Sequence, residues 1–253
     1  MAVIGIMSAM HEELAAVLAQ MPHEQRVSVA GRDFWVGHWH GHEVVAVLSR
    51  IGKVAAATTA TVLLERFHVD TLVFTGVAGG LGADVHVGDV VVATGLVQHD
   101  MDASPLFPRH EVPLYGRARF ETDVELVAQL ASATRQVLGD ARQHLGAETV
   151  TTFELSEAQM HQGLVISGDR FVATSTESRA LRQALPDALA VEMEGAAVAQ
   201  VCHDYRVPFA AVRTVSDRAD DEAHTDFNRF IREVASRYSL AILSQWLASR
   251  QPG

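Results

Sequence analysis

Short runs of apolar, often β-branched residues alternate along the chain with longer stretches in which apolar residues recur at helical spacing. The runs predict strands, because they are four to seven residues long and lack helical periodicity. They are Val3–Met7, Val44–Leu48, Thr71–Thr75, Val90–Ala93, Leu164–Ser167 and Phe209–Val215. Several are apolar on both faces, which is typical of interior strands of a sheet that helices cover on each side. The pattern therefore predicts an α/β fold.

The predicted helices carry their own start and stop signals. Thr122–Glu125 and Thr174–Glu177 each place a hydroxyl three residues before a glutamate, which is the spacing of a capping box. Pro186 ends the second of these helices. From Phe227 to Trp246 apolar residues recur every three or four positions, which predicts a long closing helix packed on one face.

The domain organisation is expected to be simple. No internal repeat and no Gly/Ser-rich linker divides the chain, so residues 1–253 are predicted to form a single domain. The polar stretch from about Gly139 to Met160 has weak periodicity and is interpreted as a surface insertion instead of a domain boundary.

The composition of the chain limits the cellular locations and the classes of partner that are expected. A formal net charge of -11 argues against nucleic acid as a partner, since that binding depends on a concentrated basic surface. No apolar run approaches the ~20 residues needed to cross a bilayer, so no membrane interaction is expected. The single cysteine, Cys202, cannot form an intramolecular disulfide, and the chain starts without a secretory signal, so a cytoplasmic location is expected. A small, weakly charged ligand is the partner best suited to an acidic protein surface of this kind.

The first candidate cluster lies where a strand passes into a helix. The apolar strand that begins at Val3 leads through Ser8 to Glu12 and Glu13 in the first helical turn. Acidic side chains stabilise a helix N-terminus through its dipole, so a purely structural role accounts for both glutamates when they are taken alone. Their position beyond the carboxyl end of a strand is where open α/β sheets bind ligands, which leaves a functional role open.

The second cluster, Thr75–Gly80, is rich in glycine. Its glycines either let the backbone approach a ligand closely or simply make a tight turn. Their spacing does not match Gly-x-Gly-x-x-Gly, and the segment that follows has a strand pattern, so an NAD-binding dehydrogenase is disfavoured.

The third cluster places ionisable residues at the ends of two apolar runs. Glu192 and Glu194 flank Met193, and a strand-like backbone would point both carboxylates to one side. Arg213 and Asp217 end the other run. Because buried charges are costly without partners, their presence here favours a ligand site, although Arg213 could equally form a structural ion pair with a glutamate.

Two further kinds of chemistry have little support in the sequence. Alternate histidines at His38, His40 and His42 could share a strand face and bind a metal, but the glycines around them indicate an exposed hairpin instead, and no metal site is expected. Cys202 lacks a paired His/Asn context and no Gly-x-Ser-x-Gly elbow is present, which disfavours covalent catalysis.

Six motifs in chain order together resemble one family. They are Gly5–Glu13, Ile51–Ala56, Thr75–Gly80, Ser167–Phe171, Val191–Glu194 and Arg213–Asp217. The chain resembles the bacterial 5′-methylthioadenosine/S-adenosylhomocysteine nucleosidases, members of the purine nucleoside phosphorylase and uridine phosphorylase superfamily. The resemblance implies a nucleoside phosphorylase-like fold with a central mixed sheet surrounded by helices, a homodimer, an adenine nucleoside as ligand and no cofactor.

The resemblance also implies separate tasks for three acids. Glu13 would activate the attacking water, Asp217 would protonate N7 of the purine, and Glu194 would bind the ribose hydroxyls. The roles fit the reaction, because cleavage of the bond to adenine builds positive charge on the ribose and negative charge on the base. The substrate-binding residues implied by the resemblance are Met10, Ile51, Val77, Ala78, Gly79, Phe171, Val172, Glu192, Met193, Arg213, Ser216 and Phe227.

The resemblance also places individual side chains around the substrate. Phe171 would lie against the purine, Met193 beneath the ribose, and Arg213 would orient Glu194 or assist the water. Many relatives have serine at the position of Val77, which bears on the 5′ group of the substrate and on whether 6-amino-6-deoxyfutalosine is accepted. The segment from Met101 to Gly116 would reach into the pocket of a partner subunit.

Two other functions of the same fold compete with hydrolysis. A nucleoside phosphorylase would use phosphate instead of water, but the acidic stretch Met10–Glu13 is poorly suited to hold an anion. A nucleoside-binding protein without activity would share the scaffold, since a fold alone does not fix activity. The retention of all three acids favours an enzyme.

Overall fold

The computed structural model of the protein describes residues 2–220 and 227–251. Its strands are β1 (Val3–Ser8), β2 (Gln25–Val29), β3 (Arg32–Trp39), β4 (His42–Leu48), β5 (Thr71–Gly80), β6 (Val90–Gln98), β7 (Arg119–Glu121), β8 (Met160–Ser167), β9 (Ala188–Glu192) and β10 (Phe209–Asp217). Its helices are α1 (His11–Leu18), α2 (Lys53–Phe67), α3 (Val124–Gly139), α4 (Ala141–Leu145), α5 (Ala147–Thr152), α6 (Ser175–Ala184), α7 (Gly195–Tyr205), α8 (Phe227–Phe230) and α9 (Ser236–Ala248). A 3₁₀ turn covers Leu155–Glu157 and a π-helical turn covers Ile231–Ala235.

The strands form one mixed sheet in the order β10-β6-β8-β9-β5-β1-β4-β3-β2. The strand β10 also pairs with β5, so this part of the sheet closes on itself, while β7 pairs with β6 outside the path. The pairs of β1 with β4, of β1 with β5 and of β10 with β5 are parallel, and those of β5 with β9 and of β10 with β6 are antiparallel. The prediction of an α/β fold with a central mixed sheet is confirmed.

Helices cover the sheet on both faces. On one face α1, α3 and α9 pack over a core that contains Ile6, Val73 and Trp246, and on the other α2 and α7 pack over a core that contains Met7 and Phe74. Alternate residues of β1 and β5 thus belong to different cores, as expected of interior strands. None of the helices in the described ranges is both long and apolar enough to cross a membrane.

All six predicted strands are present, and most extend further than predicted. The largest extension is in β5, which runs on through Gly76, Gly79 and Gly80, so the alternative of a plain turn for this glycine cluster is wrong. The histidine hairpin is present, with positive φ at His40 and Gly41 between β3 and β4. Two successive positive φ angles are typical of a type I′ turn.

One of the two predicted helix starts requires correction. The cap of α3 is Asp123, whose side chain accepts a hydrogen bond from Leu126 N at 2.9 Å, and not Thr122. The Thr122 hydroxyl instead donates to Ala93 O of the sheet at 2.7 Å, so it is not available to the helix. The other start is confirmed, because Thr174 Oγ1 accepts a hydrogen bond from Glu177 N at 3.2 Å.

Two other segments differ from expectation. The closing helix is not uniform, because the π-helical turn separates α8 from α9. The segment from Gly139 to Met160 is not merely a surface insertion: it forms α4, α5 and the 3₁₀ turn, and Leu145, Val150 and Leu155 are buried in the core beside α3 and α9. Its apolar residues are too few for a clear helical period, yet Leu145, Val150 and Leu155 are each 2% exposed.

Candidate active site

Several strands end at the same edge of the sheet, and a cavity of about 180 Å³ lies there. Its wall comes from the residues that follow β1 and β8, from the ends of β5, β9 and β10, from the loop before α2, and from the start of α8. The wall consists of Ala9, Met10, Ile51, Val77, Ala78, Gly79, Arg170, Phe171, Val172, Val191, Glu192, Met193, Glu194, Ser216, Asp217 and Phe227. The structure thus brings together all the predicted site residues except Glu13 and Arg213.

The first polar part of the wall is the junction of β9 and α7. The strand ends at Glu192, and Glu194 occupies the N-cap position of α7, so the two carboxylates do not alternate along a strand as predicted. They lie close together because the chain turns at Met193. The Glu192 carboxylate accepts hydrogen bonds from Glu194 N at 3.1 Å and from Gly195 N at 2.9 Å and 3.0 Å, and the Ser167 hydroxyl also donates to it. It is therefore held against the helix N-terminus, where the dipole favours negative charge.

Arg213 is fully buried behind the cavity and forms an ion pair with Glu192 at 2.9 Å. Its Nη1 donates to the carbonyl oxygens of Phe74 and Val212, and the guanidinium lies over the Phe74 ring at 4.1 Å from its centroid. The structural ion pair considered for Arg213 is thus made with Glu192, and the Arg213 charge also acts on Glu194, where it opposes the rise in the pKa of that carboxyl group. A charge this deeply buried requires such a set of partners.

Glu194 itself is held from the opposite side of the cavity. Gly52 N, just before α2, donates to Glu194 Oε1 at 2.8 Å, and the carboxylate is 6% exposed. Burial, and next the negative charge of Glu192, raise the pKa of Glu194 from 4.5 to about 7. Gly52 has φ 93°, and a side chain there would approach Asp169, so a glycine is required for this contact.

The raised pKa of Glu194 predicts a pH-dependent loss of stability. Because the folded state binds this proton more tightly than the unfolded state, the stabilisation is complete below pH 4.5 and is lost as the pH rises through about 7. Relative to Glu194→Gln, the wild-type free energy of unfolding should fall by about 3 kcal/mol between about pH 4 and pH 8. Urea unfolding of both proteins across this range measures the difference, and a difference that stays constant would contradict the shift.

Asp217 forms the second polar part of the wall, at the end of β10. The Ser216 hydroxyl donates to Asp217 Oδ2 at 2.8 Å, and Ala219 N donates to Oδ1 at 2.8 Å. Asp217 is 7% exposed, and a Cβ at Gly79 would lie 2.9 Å from its Oδ1, so only glycine fits beside it without displacement. Both oxygens of the carboxyl group are thus held by the chain, in a residue that lies on the cavity wall.

Glu13 does not lie on the cavity wall. It is fully buried behind Met10, where Met10 N donates to its Oε2 at 3.1 Å and the Ser239 hydroxyl of α9 donates to its Oε1 at 2.7 Å. Burial is the largest influence and raises its pKa, although the Ser239 bond and the charge of Arg213 act in the opposite direction. Glu13 is the third residue of α1, so the local sequence prediction of a helix-start acid is confirmed.

The rest of the wall is mostly apolar. The rings of Phe171 and Phe227 meet edge to face with centroids 6.4 Å apart, and Met10, Ile51 and Met193 supply flexible or branched side chains. Such a wall suits a flat aromatic ligand with few polar groups.

Sequence reasoning missed three residues of the wall. Ala9, Arg170 and Val191 adjoin predicted residues, and position in a motif was the only signal that could have identified them. It also missed Ser239, since nothing in α9 marks that hydroxyl as a partner of Glu13. In the ranges that the structure describes, no group of histidine, cysteine and acidic side chains has the arrangement of a metal site.

Comparison with known proteins shows strong likeness over the whole chain. The model of the phosphorylase superfamily matches residues 3–248. A 5′-methylthioadenosine/S-adenosylhomocysteine nucleosidase of Neisseria meningitidis, solved with methylthio-immucillin-A, is 34% identical with a TM-score of 0.86, over 99% of this chain and 100% of that chain. The corresponding enzyme of Streptococcus pneumoniae, solved with a transition-state inhibitor, is 35% identical with a TM-score of 0.84, over 98% and 99%. A futalosine hydrolase of Helicobacter pylori is 32% identical with a TM-score of 0.83, over 98% of each chain.

Proposed function

The chain belongs to the phosphorylase superfamily and, within it, to the N-glycosyl hydrolases, and on this basis we propose that it hydrolyses 5′-methylthioadenosine and S-adenosylhomocysteine. The products are adenine and the 5′-thio-substituted ribose. The observation that carries the proposal is that two buried carboxyl groups, those of Glu194 and Asp217, share the wall of one otherwise mostly apolar cavity. Separated charges of opposite sign develop in this reaction, and each requires its own partner.

Asp217 is proposed to act on the leaving base. Its fixed carboxyl group, held by Ser216 and by Ala219 N, is suited to give a proton to N7 of the purine as the bond breaks. The ring of Phe171 would lie against the purine, and the backbone of Val172 would contact its edge. A neutral adenine leaves far more readily than its anion, so this proton lowers the barrier directly.

Glu194 is proposed to bind the ribose hydroxyls, with Met193 beneath the sugar. Gly52 N donates to one of its oxygens, and a ribose hydroxyl would donate to the other. Ionised Glu194 would also stabilise the positive charge that develops on the ribose ring. In this assignment Glu192 and Arg213 form the buried support that keeps the start of α7 in place.

Glu13 is proposed to take the proton of the attacking water. A raised pKa makes its carboxylate a stronger base than an exposed glutamate, which suits it to proton abstraction near neutral pH. Its Oε2 is bound to the backbone of Met10, a residue of the cavity wall, so the carboxylate lies directly behind the wall on the side of the sugar. A water between the sugar and Glu13 would have to displace or bridge that bond.

Water is favoured over phosphate as the nucleophile by the charges of the wall. The buried ionisable groups on it, Glu192, Glu194 and Asp217, are all acids, so none of them supplies the positive charge that would bind a phosphate. The cation of the wall, Arg170, has an 80% exposed side chain and binds Glu177 at 2.6 Å. A phosphorylase would need a buried cation on the wall to bind the phosphate.

A homodimer is proposed from the exposed apolar side chains near the cavity. Ile51 and Val54, on and beside the wall, are 69% and 78% exposed, and Leu106 and Leu114 are 84% and 92% exposed. The latter two belong to the segment from Met101 to Gly116, which would reach the cavity of the partner subunit. Large apolar side chains exposed in this way are typical of surfaces covered by another chain.

The direct test of the proposed function is adenine release in the absence of phosphate. Purified protein incubated with 5′-methylthioadenosine should release adenine at the same rate with and without added phosphate, as measured by chromatography. A rate of adenine release that depends strictly on phosphate would show that the protein is a phosphorylase. Tight binding of 5′-methylthioadenosine without release of adenine would show that it is a nucleoside-binding protein.

A further inference from the structure

A second cavity, of about 490 Å³, lies beside the first and carries two arginines. Among its lining residues are His11, Arg32, Asp33, Trp35 and Arg50. We call this cavity the arginine groove. It lies between the start of α1, the strand β3 and the loop before α2, and none of its residues belongs to the predicted site.

The arginine groove begins one residue beyond the wall of the active-site cavity at two points. His11 follows Met10, and Arg50 precedes Ile51, and both Met10 and Ile51 lie on that wall. Since consecutive Cα atoms are about 3.8 Å apart, the two cavities are lined by adjoining residues of the same two segments, Met10–His11 and Arg50–Ile51. The family resemblance implies that Met10 and Ile51, both on that wall, lie around the sugar and its 5′ substituent. A substituent longer than a methylthio group would then extend toward the arginine groove.

The acceptors that the two guanidinium groups bind within the described ranges are all neutral. Arg32 donates to Thr59 Oγ1 at 2.6 Å and to the carbonyl oxygens of Ala30 and Ala55, and Arg50 donates to Gly31 O. Within residues 2–220 and 227–251, neither of them forms an ion pair with a carboxylate. Two unneutralised cations in one groove are notable in a chain with a net charge of -11.

The two cations also lie close enough to influence each other. The pKa of Arg32 is lowered, first by its partial burial and next by the positive charge of Arg50. An anion in the groove would relieve this repulsion and could accept the paired N–H donors that a guanidinium presents to a carboxylate. Asp33 also lines the groove, but its carboxylate is bound to the Ser28 hydroxyl and lies 3.8 Å from Arg26.

The backbone at Arg50 is one that glycine adopts readily. Its φ is 63°, in the left-handed region, and its long cationic side chain is exposed.

We propose that the arginine groove is a subsite for adenine nucleosides whose 5′ substituent ends in a carboxylate, with Arg50 as the residue that selects them. This inference rests on the proposed function for the position of the 5′ substituent. Two sources share the chemistry: the amino-acid tail of S-adenosylhomocysteine, whose ammonium group Asp33 could accept, and the aryl carboxylate tail of 6-amino-6-deoxyfutalosine, whose ring Trp35 could contact.

The test compares kcat/KM for three nucleosides in the wild type and in Arg50→Gln. The neutral substrate 5′-methylthioadenosine should be cleaved within about twofold of the wild-type kcat/KM, while at least one of S-adenosylhomocysteine and 6-amino-6-deoxyfutalosine should lose about tenfold or more, mainly through KM. The nucleoside whose kcat/KM falls more in Arg50→Gln is the one whose 5′ tail the arginine groove binds. Arg66→Gln, at the far end of α2 and also exposed, is the matched control for the loss of one charge.

A second variant guards against a folding defect. Arg50→Gly removes the side chain where the backbone favours glycine, so it should fold and should show the same selective loss. An equal loss for all three nucleosides, no loss for either carboxylate-ended one, or a wild type that cleaves only 5′-methylthioadenosine would each overturn the subsite. Failure of the wild type to cleave 5′-methylthioadenosine would instead reject the proposed function.

Discussion

Replacement of Glu13 by glutamine is expected to lower kcat by about 10²- to 10⁴-fold, the range that a positioned general base contributes. Glutamine has the same shape, and its carbonyl oxygen can accept from Met10 N while its amide donates to the Ser239 hydroxyl oxygen, but it cannot take a proton from water. The fold and the affinity for 5′-methylthioadenosine should therefore change little. Steady-state kinetics, thermal unfolding and calorimetric binding measure the three quantities.

The neighbouring residue supplies the control for this prediction. Glu12 is in the same helical turn and is exposed, so Glu12→Gln removes the same charge from the same helix N-terminus. The kcat of Glu12→Gln should remain within about threefold of the wild type, since the charge of an exposed side chain is largely screened by solvent and salt. Equal and small effects of the two substitutions would show that Glu13 is only a helix-start acid.

Replacement of Asp217 by asparagine should also lower kcat by about 10²- to 10⁴-fold, because the leaving adenine then departs without a proton. The asparagine carbonyl oxygen can still accept from Ala219 N, and its amide can donate to Ser216, so the protein should remain folded. Ser216→Ala removes a single hydrogen bond to the same carboxyl group and should give a much smaller loss.

A change of leaving group separates the role of Asp217 from that of Glu13. A 5-thioriboside of p-nitrophenol releases a stable anion that needs no proton, so Asp217→Asn should cleave it at a rate close to that of the wild type. Glu13→Gln should remain slow with this substrate, because water must still be activated. If Asp217→Asn were as impaired with the p-nitrophenyl substrate as with the nucleoside, Asp217 would not be the proton donor.

The sequence predicts the strands and the edge where they end, because both depend on local patterns. Runs of apolar residues determine the interior strands, and the motifs at their ends necessarily meet once the strands are parallel. The hairpin strand β2 was not predicted, since it lies at the sheet edge and has no buried residue. Periodicity carries little information for such a strand.

The partners of the buried charges could not be predicted in the same way. Glu13 is held by Ser239, which is 226 residues away, and no spacing rule relates the two. Arg213 pairs with Glu192 instead of Glu194, because the amides at the start of α7 hold the Glu192 carboxylate on the side of the buried guanidinium. Such choices depend on the turn at Met193, whose geometry appears only in the folded chain.

The central claim is that water attacks the ribose, and the origin of the new oxygen atom tests it most directly. A single turnover of 5′-methylthioadenosine in H₂¹⁸O with phosphate present should give free 5-methylthioribose that carries one ¹⁸O atom, as measured by mass spectrometry. Unlabelled 5-methylthioribose incubated with the protein in the same water corrects for exchange at the anomeric carbon. A sugar 1-phosphate without ¹⁸O would contradict hydrolysis.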